Sequence, residues 1–231
     1  MQYLIRKSKP EDYRRELKYT FYHSDRVILR QQIKTHPAHF SEIYYPRWVN
    51  NIYWDSQSLD AYHSSIEGLS PRLKIRMRWY GEFFGIIQPM MEIKIKNASK
   101  NTKATFPLNS INLYEGINAF ELRQNLLSGE DLPDELKDAF KCLRPTMANR
   151  YLRDYYQTDD KHFRITVDSF LGFKSVMNSP SLRMIRPDLA HMQILELKFN
   201  QDCGGAGRIM KEFGSHFQLC RMSKYTTGLE T

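Results

Sequence analysis

The sequence has few of the residues that stabilise disulfide-rich or zinc-binding domains. It contains three cysteines among 231 residues, Cys142, Cys203 and Cys220, and none of them belongs to a C-x-x-C pair. This spacing indicates neither a disulfide framework nor a zinc ribbon. Isolated cysteines in an odd number fit a reducing compartment. The seven histidines show no metal-ligand spacing either.

Long apolar runs are also absent. The N-terminal residues, M-Q-Y-L-I-R-K-S-K-P-E-D, contain no apolar stretch typical of a signal peptide. No apolar run approaches the roughly 20 residues that a membrane-spanning helix needs. We therefore expect a soluble, cytoplasmic protein without a membrane segment of its own. The length suits one large domain or two small ones, and no internal repeat or low-complexity segment divides the chain.

The charge is unbalanced in favour of cations. Lysine and arginine number 34 against 26 acidic residues, which gives a formal net charge of +8. A basic chain favours acidic partners, which include nucleic acid, phosphate compounds and anionic membrane surfaces. Net charge alone does not choose among these partners.

One stretch concentrates this charge in a strand pattern. Residues Arg72 to Gly81 read R-L-K-I-R-M-R-W-Y-G, with a basic residue at every second position from Arg72 to Arg78. Successive side chains of a β-strand point to opposite faces, so this strand has one apolar face and one row of cations. Like charges held this close repel, so the row needs anions beside it.

The rest of the chain reads as strands with interspersed helices and no regular βαβ alternation. This order predicts an α+β protein with an antiparallel sheet or barrel decorated by helices. The predicted strands are Tyr13–Phe21, Arg47–Asp55, Arg72–Gly81, Met90–Lys96, Tyr151–Tyr156, His162–Phe170 and Met192–Phe199. The predicted helices are Leu59–Glu67, Ala119–Leu127, Asp134–Leu143, one from a cap at Ser24 or Asp25 to His36, and one through Ile209 and Phe213.

Charged residues recur at alternate positions in most of these strands, with apolar or aromatic residues between them. Ten of them are basic and four are acidic. They are Arg14, Glu16, Lys18, Lys74, Arg76, Arg78, Glu92, Lys94, Lys96, Arg153, Arg164, Asp168, Glu196 and Lys198.

Two interpretations of this pattern are open. In the first, the charged face of an ordinary one-sided sheet faces water. In the second, the sheet closes into a barrel of about eight strands with the charges inside, which leaves a lumen for one ligand. A cationic lumen desolvates its charges, so it becomes favourable when a polyanion enters. Arginine and lysine both suit phosphoryl oxygens, and carboxylates would hold a divalent metal.

Nine motifs, in order along nearly the whole chain, resemble the vacuolar transporter chaperone (VTC) domain, a branch of the triphosphate tunnel metalloenzymes related to CYTH domains. The motifs are R-x-E-x-K at Arg14–Lys18, V-N-N-I-Y-W-D at Val49–Asp55, Y-x-x-x-I-E-G at Tyr62–Gly68, K-I-R-M-R-W-Y-G at Lys74–Gly81, E-I-K-I-K at Glu92–Lys96, Y-L-R at Tyr151–Arg153, R-I-T-V-D at Arg164–Asp168, L-E-L-K at Leu195–Lys198 and S-K-Y at Ser223–Tyr225.

The resemblance implies one domain over residues 1–231, built as an antiparallel β-barrel tunnel that binds triphosphate with Mn²⁺ or Mg²⁺. It implies transfer of the γ-phosphate of ATP to a growing polyphosphate chain. The implied ligands are ATP and inorganic polyphosphate rather than nucleic acid. A membrane protein is a further partner to consider, and the oligomeric state stays open. A triphosphate hydrolase and a non-catalytic polyphosphate-binding module remain alternatives.

The resemblance also implies a role for each matching residue. Those that line the tunnel and grip the reacting phosphates are Lys18, Arg76, Arg78, Lys94, Arg153, Arg164, Lys198 and Lys224. The further substrate-binding residues are Arg14, Lys74, Lys96, Tyr151 and Ser223. Glu196 is the leading metal ligand, and Glu16 and Glu92 are either second ligands or partners that orient the basic residues.

Overall fold

The computed structural model describes residues 9–10, 14–22, 26–97, 100–128, 132–177, 181–189, 191–200, 205–214 and 217–230. The strands in these ranges are β1 (Lys9–Pro10), β2 (Arg14–Tyr22), β3 (Phe40–Asp55), β4 (Arg72–Tyr80), β5 (Gly85–Ile87), β6 (Met90–Asn97), β7 (Lys100–Pro107), β8 (Ile111–Leu113), β9 (Arg144–Thr158), β10 (Phe163–Ser175), β11 (Met192–Asn200) and β12 (Gln218–Leu219). The helices are α1 (Arg26–Lys34), α2 (Asp60–Ile66), α3 (Ala119–Leu127), α4 (Asp134–Lys141), α5 (Ala206–Glu212) and α6 (Lys224–Glu230). Tyr13, the predicted caps Ser24 and Asp25, and Cys203 lie outside these ranges.

Ten strands form one sheet in the order β1-β7-β6-β4-β3-β9-β10-β11-β2-β12, and β5 pairs with β8 separately. All pairs in the large sheet are antiparallel. The predicted α+β class with an antiparallel sheet is therefore confirmed. Within the described ranges the pairing ends at β1 and β12, so strand pairing does not close the sheet into the predicted barrel.

The sheet nevertheless curls strongly about its charged face. In the strand order, β4 and β2 are separated by β3, β9, β10 and β11, which in a flat sheet would place them roughly 24 Å apart. Yet Lys18 on β2 and Lys74 on β4 bind adjacent residues, the carbonyl of Met222 at 3.5 Å and the hydroxyl of Ser223 at 2.8 Å. We call this concave, charged side of the sheet the inner face.

The outer face is apolar and is covered by helices. Over β3, β4 and β6, α3 and α4 pack through buried residues such as Leu122 and Phe140, whose ring lies 5.3 Å from that of Trp54. Over β2, β10 and β11, α1 and α5 contribute buried residues such as Ile33 and Ile209. Apolar positions thus face the helices, and the alternate positions are left for the inner face. In the described part of the chain, no helix has the length and apolarity needed to cross a bilayer.

Helix α6 is different because it packs against the inner face. Its Tyr225 is buried, stacks on Tyr53 at 5.1 Å and donates a hydrogen bond to Asp55 at 2.5 Å. Gly228 allows this close approach, since a Cβ there would lie 2.5 Å from the Phe173 ring and 2.9 Å from the Met147 sulfur. One end of the inner face is therefore apolar and covered by α6.

Candidate functional site

Strands β4 and β6 bring their charged residues face to face. Register pairs Arg76 with Glu92 and Lys74 with Lys94, so only one of these two pairs is of opposite charge. Directly opposed like charges are unfavourable in a sheet. The inner face therefore contains cations that their nearest cross-strand neighbours do not neutralise.

Glu92 is the centre of a first ion cluster. One of its oxygens lies 2.6 Å from Arg76 Nη2 and 3.5 Å from Arg78 Nη1, and the other lies 2.6 Å from Lys103 Nζ. Burial raises the pKa of Glu92, but Arg76, Arg78 and Lys103 outweigh it and hold that pKa well below its usual range. Both oxygens make short ion pairs, so these contacts favour the role of orienting basic residues over that of metal ligand.

Arg78 is fixed by a buried polar network. Its Nε donates to Asn51 Oδ1 at 2.8 Å and its Nη2 donates to the Tyr151 hydroxyl at 3.2 Å. The Asn51 amide donates in turn to Asn149 at 2.7 Å. Each partner is buried, so the guanidinium is held in one orientation before any ligand binds. Burial raises the pKa of Tyr151, but Arg153, Arg78 and Lys224 lower it below its usual value.

A second cluster joins β9, β10 and α6 through Asp168. Arg153 donates to both oxygens of Asp168, at 2.5 and 2.7 Å, and Lys224 Nζ lies 2.5 Å from the second oxygen. Asp168 is completely buried, and burial raises its pKa, while Arg153 and Lys224 lower it to a value below the usual range. A carboxylate that binds two cations in this way sets the positions of both.

Glu196 lies where the strands β11 and β2 meet the second cluster. Its two oxygens face Lys18 at 3.5 Å, Lys224 at 3.6 Å, Arg153 at 3.8 Å and Lys198 at 3.9 Å. Burial raises the pKa of Glu196, but these cations hold it well below the usual range, so the group is an anion at neutral pH. Its ion pairs are longer than those of Glu92 and Asp168.

Glu16 is beside Glu196 and shares its cations. It lies 3.1 Å from Lys18 Nζ and 3.8 Å from Lys198 Nζ. Burial and the charge of Glu196 raise its pKa, whereas Lys18 and Lys198 lower it, and the lowering prevails. Burial lowers the pKa of Lys18, but Glu196 and Glu16 raise it above its ordinary value.

The carboxylate pair Glu196 and Glu16 fits a divalent cation that is held jointly by protein and substrate. Carboxylate oxygens suit Mg²⁺ and Mn²⁺, and Mg²⁺ is usually bound through one or two carboxylates together with substrate phosphates. The long ion pairs of Glu196 leave its oxygens able to accept such a ligand. Among the described residues, no three His, Cys, Asp or Glu side chains gather closely enough to hold a metal by themselves.

Lys74 is a cation with a neutral partner. Its Nζ donates to Ser223 at 2.8 Å. Burial and the nearby cations Arg72, Lys18 and Lys94 lower the pKa of Lys74 to about 7. Burial, Arg72 and Lys94 likewise lower the pKa of Lys96. An added anion would relieve repulsion between cations in this part of the inner face.

Two residues predicted for the site stand apart from the clusters. Arg164 lies on the inner face, opposite Lys198 in the register, and its guanidinium carbon lies 5.9 Å from the centre of the Tyr44 ring. Arg14 belongs to β2, and its side chain lies outside the described part of the structure. The remaining predicted residues share the concave face that the clusters occupy, so alternation in the sequence placed them on a common surface.

Three residues of the clusters were not among the predicted site residues. Asp168 has the correct alternation, but its role depends on its position opposite Arg153. Lys103 belongs to β7, which the sequence pattern did not predict. Asn51 belongs to a predicted strand, but it is neutral and so was not among the charged residues assigned to the site.

As a whole, the arrangement suits the binding of a linear polyanion. The cations lie on several strands around a common concave face, and the buried carboxylates orient many of them. Arginine forks held in this way suit phosphoryl oxygens, and lysines add charge without strict geometry. The geometry provides positioning and charge neutralisation.

Similarity to solved structures supports the fold. The structure of a putative adenylyl cyclase from Hippeastrum, described as having a dominant triphosphatase activity, matches with a TM-score of 0.51 and 11% sequence identity, over 93% of this chain and 94% of that one. A structure of the Mediator head module of Schizosaccharomyces pombe matches with a TM-score of 0.37 and 8% identity, over 86% and 88% of the two chains. The second similarity is too low to inform on this chain.

Sequence comparison identifies the family. No protein of curated function matches the sequence of this chain. The family model of the VTC domain matches residues 13–231. This match confirms the resemblance that the nine motifs indicated. Because it covers nearly the whole chain, the protein belongs to the VTC domain family.

Proposed function

We propose that this protein is a metal-dependent polyphosphate polymerase, which transfers the γ-phosphate of ATP to a growing polyphosphate chain along its inner face. The observation that carries the proposal is the excess of cations there, above all Lys74, which binds the Ser223 hydroxyl at 2.8 Å, has no carboxylate partner among the described residues and has a pKa lowered to about 7 by burial and other cations. Such a surface favours a ligand with many negative charges. Membership of the VTC domain family supports the same substrate class.

The curled sheet would act as a tunnel when a chain of phosphates occupies it. The contacts that Lys18 and Lys74 make with neighbouring residues Met222 and Ser223 support an enclosed path, because they bring β2 and β4 together. We propose that side chains and the bound ligand, rather than strand pairing, close this tunnel.

Each cluster has a distinct role in this proposal. Arg76 and Arg78, oriented by Glu92 and Asn51, grip phosphoryl oxygens on one wall. Arg153 and Lys224, oriented by Asp168, grip them on the opposite wall. The other cations predicted to bind the reacting phosphates are Lys18, Lys94, Arg164 and Lys198. The residues proposed to hold the substrate around them are Arg14, Lys74, Lys96, Tyr151 and Ser223.

Phosphoryl transfer needs in-line positioning and neutralised charge more than covalent chemistry from the protein. The attacking group is an oxygen of the acceptor's terminal phosphate, which is already ionised, so no general base is required. Its bond to the γ-phosphorus forms while the bond from the γ-phosphorus to the β–γ bridging oxygen breaks, and ADP leaves. Glu196 and Glu16 would hold Mn²⁺ or Mg²⁺, which when bound would neutralise charge on the phosphates. The cations of the two walls then hold donor and acceptor in line, and their charge stabilises the transition state.

Two other functions share this binding surface. A hydrolase of short triphosphates would use the same cations with water as acceptor, and α6, which covers the apolar end of the inner face, supports a path with one restricted end. A binding module would retain polyphosphate without turnover. The isolated cysteines support a cytoplasmic location, and the partner proposed to receive the product is a membrane protein.

Incubation of the protein with Mn²⁺ and ATP labelled at the γ-phosphate distinguishes the three functions. If the protein is a polymerase, we expect a ladder of labelled products on a gel. Free labelled phosphate without a ladder would identify a hydrolase, and polyphosphate retention without turnover would identify a binding module.

Glu196→Gln tests the assigned metal ligand. Because Gln keeps the size of the side chain but removes its charge, we expect turnover to fall by at least about a hundredfold while polyphosphate binding remains. The matched control is Glu212→Gln, on the outer helix α5. Full turnover by Glu196→Gln would show that the metal is held elsewhere.

A further inference from the structure

Lys74 differs from most lysines of the inner face because no carboxylate neutralises it. Its Nζ donates to the Ser223 hydroxyl at 2.8 Å, and among the described residues it forms no ion pair. Lysines of the same face that lie within 4 Å of a carboxylate are Lys18, Lys103, Lys198 and Lys224. The Lys74 side chain is half-buried, so a small molecule on the inner face can reach its amine.

The charged groups around Lys74 are cations. Arg72 and Arg76 are two positions away on the same face of β4, and Lys94 is directly opposite on β6. Lys18 approaches from β2 across the curled sheet. Burial and these charges lower the pKa of Lys74 to about 7, and Arg72 has the largest effect among the four cations. A large share of the amine is therefore unprotonated at neutral pH, and its lone pair is free to react.

The same arrangement supplies a nucleophile and a place for an anion. A lysine amine beside other cations is an activated nucleophile, and the hydrogen bond to Ser223 uses an N–H and leaves the lone pair available. Arg72 and Lys94 attract negative charge to the space around the amine. A reagent that joins an electrophilic carbon to a phosphate would therefore be held with that carbon near Nζ. Acyl phosphates, the mixed anhydrides of carboxylic acids and phosphate, have this structure.

We propose that Lys74 is a site of covalent acylation by acyl phosphates, and that this modification weakens polyphosphate binding at the inner face. The unprotonated Nζ attacks the acyl carbon, so a C–N bond forms while the bond between that carbon and the bridging oxygen breaks. Inorganic phosphate leaves with the electron pair of the broken bond, and the nitrogen loses one proton to solvent. The amide product is uncharged, so the inner face loses one cation. Only the effect on polyphosphate binding rests on the proposed function.

The site is tested by peptide mass spectrometry after incubation of the wild type with acetyl phosphate at about pH 8, above the pKa of the amine. We expect Lys74 to be acetylated at least about tenfold faster than Lys141, an exposed lysine whose pKa Asp138 raises. Saturating tripolyphosphate should protect Lys74 and leave Lys141 unaffected. With an uncharged reagent, the N-hydroxysuccinimide ester of acetic acid, the preference for Lys74 should fall by about threefold or more, because the cations no longer attract the reagent.

Two substitutions at Lys74 test the consequence of acylation. Lys74→Gln resembles the acetylated side chain, whereas Lys74→Arg keeps the charge and is not acylated under these conditions. We expect the dissociation constant for long-chain polyphosphate to rise by about tenfold in Lys74→Gln and by at most about threefold in Lys74→Arg. Melting temperatures verify folding, and acetylated wild type takes the place of Lys74→Gln if that variant unfolds.

Other outcomes overturn the proposal. Acetylation of Lys74 no faster than that of Lys141, or a lack of protection by bound tripolyphosphate, would overturn the site. Equal preference with both reagents would overturn the assignment of acyl phosphates, and equal polyphosphate binding by the two variants would overturn the effect on binding. Labelling does not depend on turnover. A protein acetylated at Lys74 that makes no polyphosphate would contradict only the proposed function, and one that makes polyphosphate without this acetylation would contradict only the present inference.

Discussion

At the scale of single residues, the site is defined by the short distances between buried charges. Glu92 and Asp168 are each bound by cations at 2.5–2.7 Å, whereas Glu196 has four cations at 3.5–3.9 Å. The first two carboxylates therefore orient basic residues, and the third is able to accept another ligand. Lys74 completes this picture as a half-buried amine with a neutral partner.

Lys74 predicts that phosphate binding is accompanied by proton uptake. Its pKa is about 7 in the free protein because of burial and neighbouring cations, and a bound phosphate raises it. At pH 8 Lys74 is mostly neutral when free and mostly charged when bound, so binding takes up close to one proton more in the wild type than in Lys74→Met. Calorimetry of tripolyphosphate binding in two buffers with different ionisation enthalpies measures this difference. Equal proton uptake by both proteins would contradict the assignment.

Asp168 predicts a large loss of stability when its charge is removed. Asp168→Asn leaves Arg153 and Lys224 buried without their shared carboxylate, so we expect the free energy of unfolding to fall by about 3 kcal/mol. Tripolyphosphate should restore part of the loss, because it supplies anions to the same cations. Urea denaturation with and without the ligand measures both effects.

The control for this prediction is Asp138→Asn. Asp138 pairs with Lys141 at 2.7 Å, but both side chains are more than half exposed. An exposed pair contributes little, so the change in unfolding free energy should stay below about 1 kcal/mol. Similar losses in the two variants would refute the argument that Asp168 balances buried charge.

At the scale of elements, strands with strict alternation were predictable from sequence. The basic strand β4 and its partner β6 were predicted within one residue of their observed ends, because their charged and apolar residues alternate without interruption. The first half of β3 was missed, since Pro46 and several exposed side chains obscure its pattern. Strand β7 was missed because K-N-T-K-A-T-F-P has few apolar positions, and Lys103 was lost from the predicted site with it.

The roles of particular side chains depend on register, which the sequence does not state. Asp168 alternates with the other inner residues, but only pairing of β10 with β9 places it opposite Arg153. Two register shifts in β3 precede Arg47 and turn it toward the inner face, so its interaction with three tyrosines could not be predicted from spacing. Helix α6 was not predicted because K-Y-T-T-G-L-E contains weak helix formers, and packing of Tyr225 stabilises it instead.

From the close packing at Gly228 we predict that α6 holds Lys224 and Ser223 in the site. A methyl group at this position would collide with Phe173 and Met147, so Gly228→Ala should lower the unfolding free energy by about 1–3 kcal/mol. We also expect weaker tripolyphosphate binding, because displacement of α6 moves Lys224 away from Asp168. Chemical denaturation and calorimetry measure the two effects.

Gly207→Ala is the matched control, since Gly207 is also helical and a Cβ there meets nothing within 4 Å. This substitution should leave ligand binding intact and raise stability by about 0.4–1 kcal/mol. If Gly228→Ala behaved in the same way, α6 would not be a fixed part of the site.

At the scale of the whole molecule, the fold separates apolar and ionic surfaces across one curled sheet. Helices α1, α3, α4 and α5 cover the outer face, and the cations of several strands converge on the inner face. Many of the cations thus lie where a long anion would bind. The alternative of a solvent-facing charged sheet does not account for the burial of Arg78, Glu92, Arg153, Asp168 and Glu196.

An experimental structure of the protein with bound tripolyphosphate tests this account most directly. The account predicts phosphoryl oxygens on the inner face, within hydrogen-bonding distance of Arg76 on one wall and Arg153 on the other. Tripolyphosphate bound only on the outer surface, with the inner ion pairs unchanged, would contradict it.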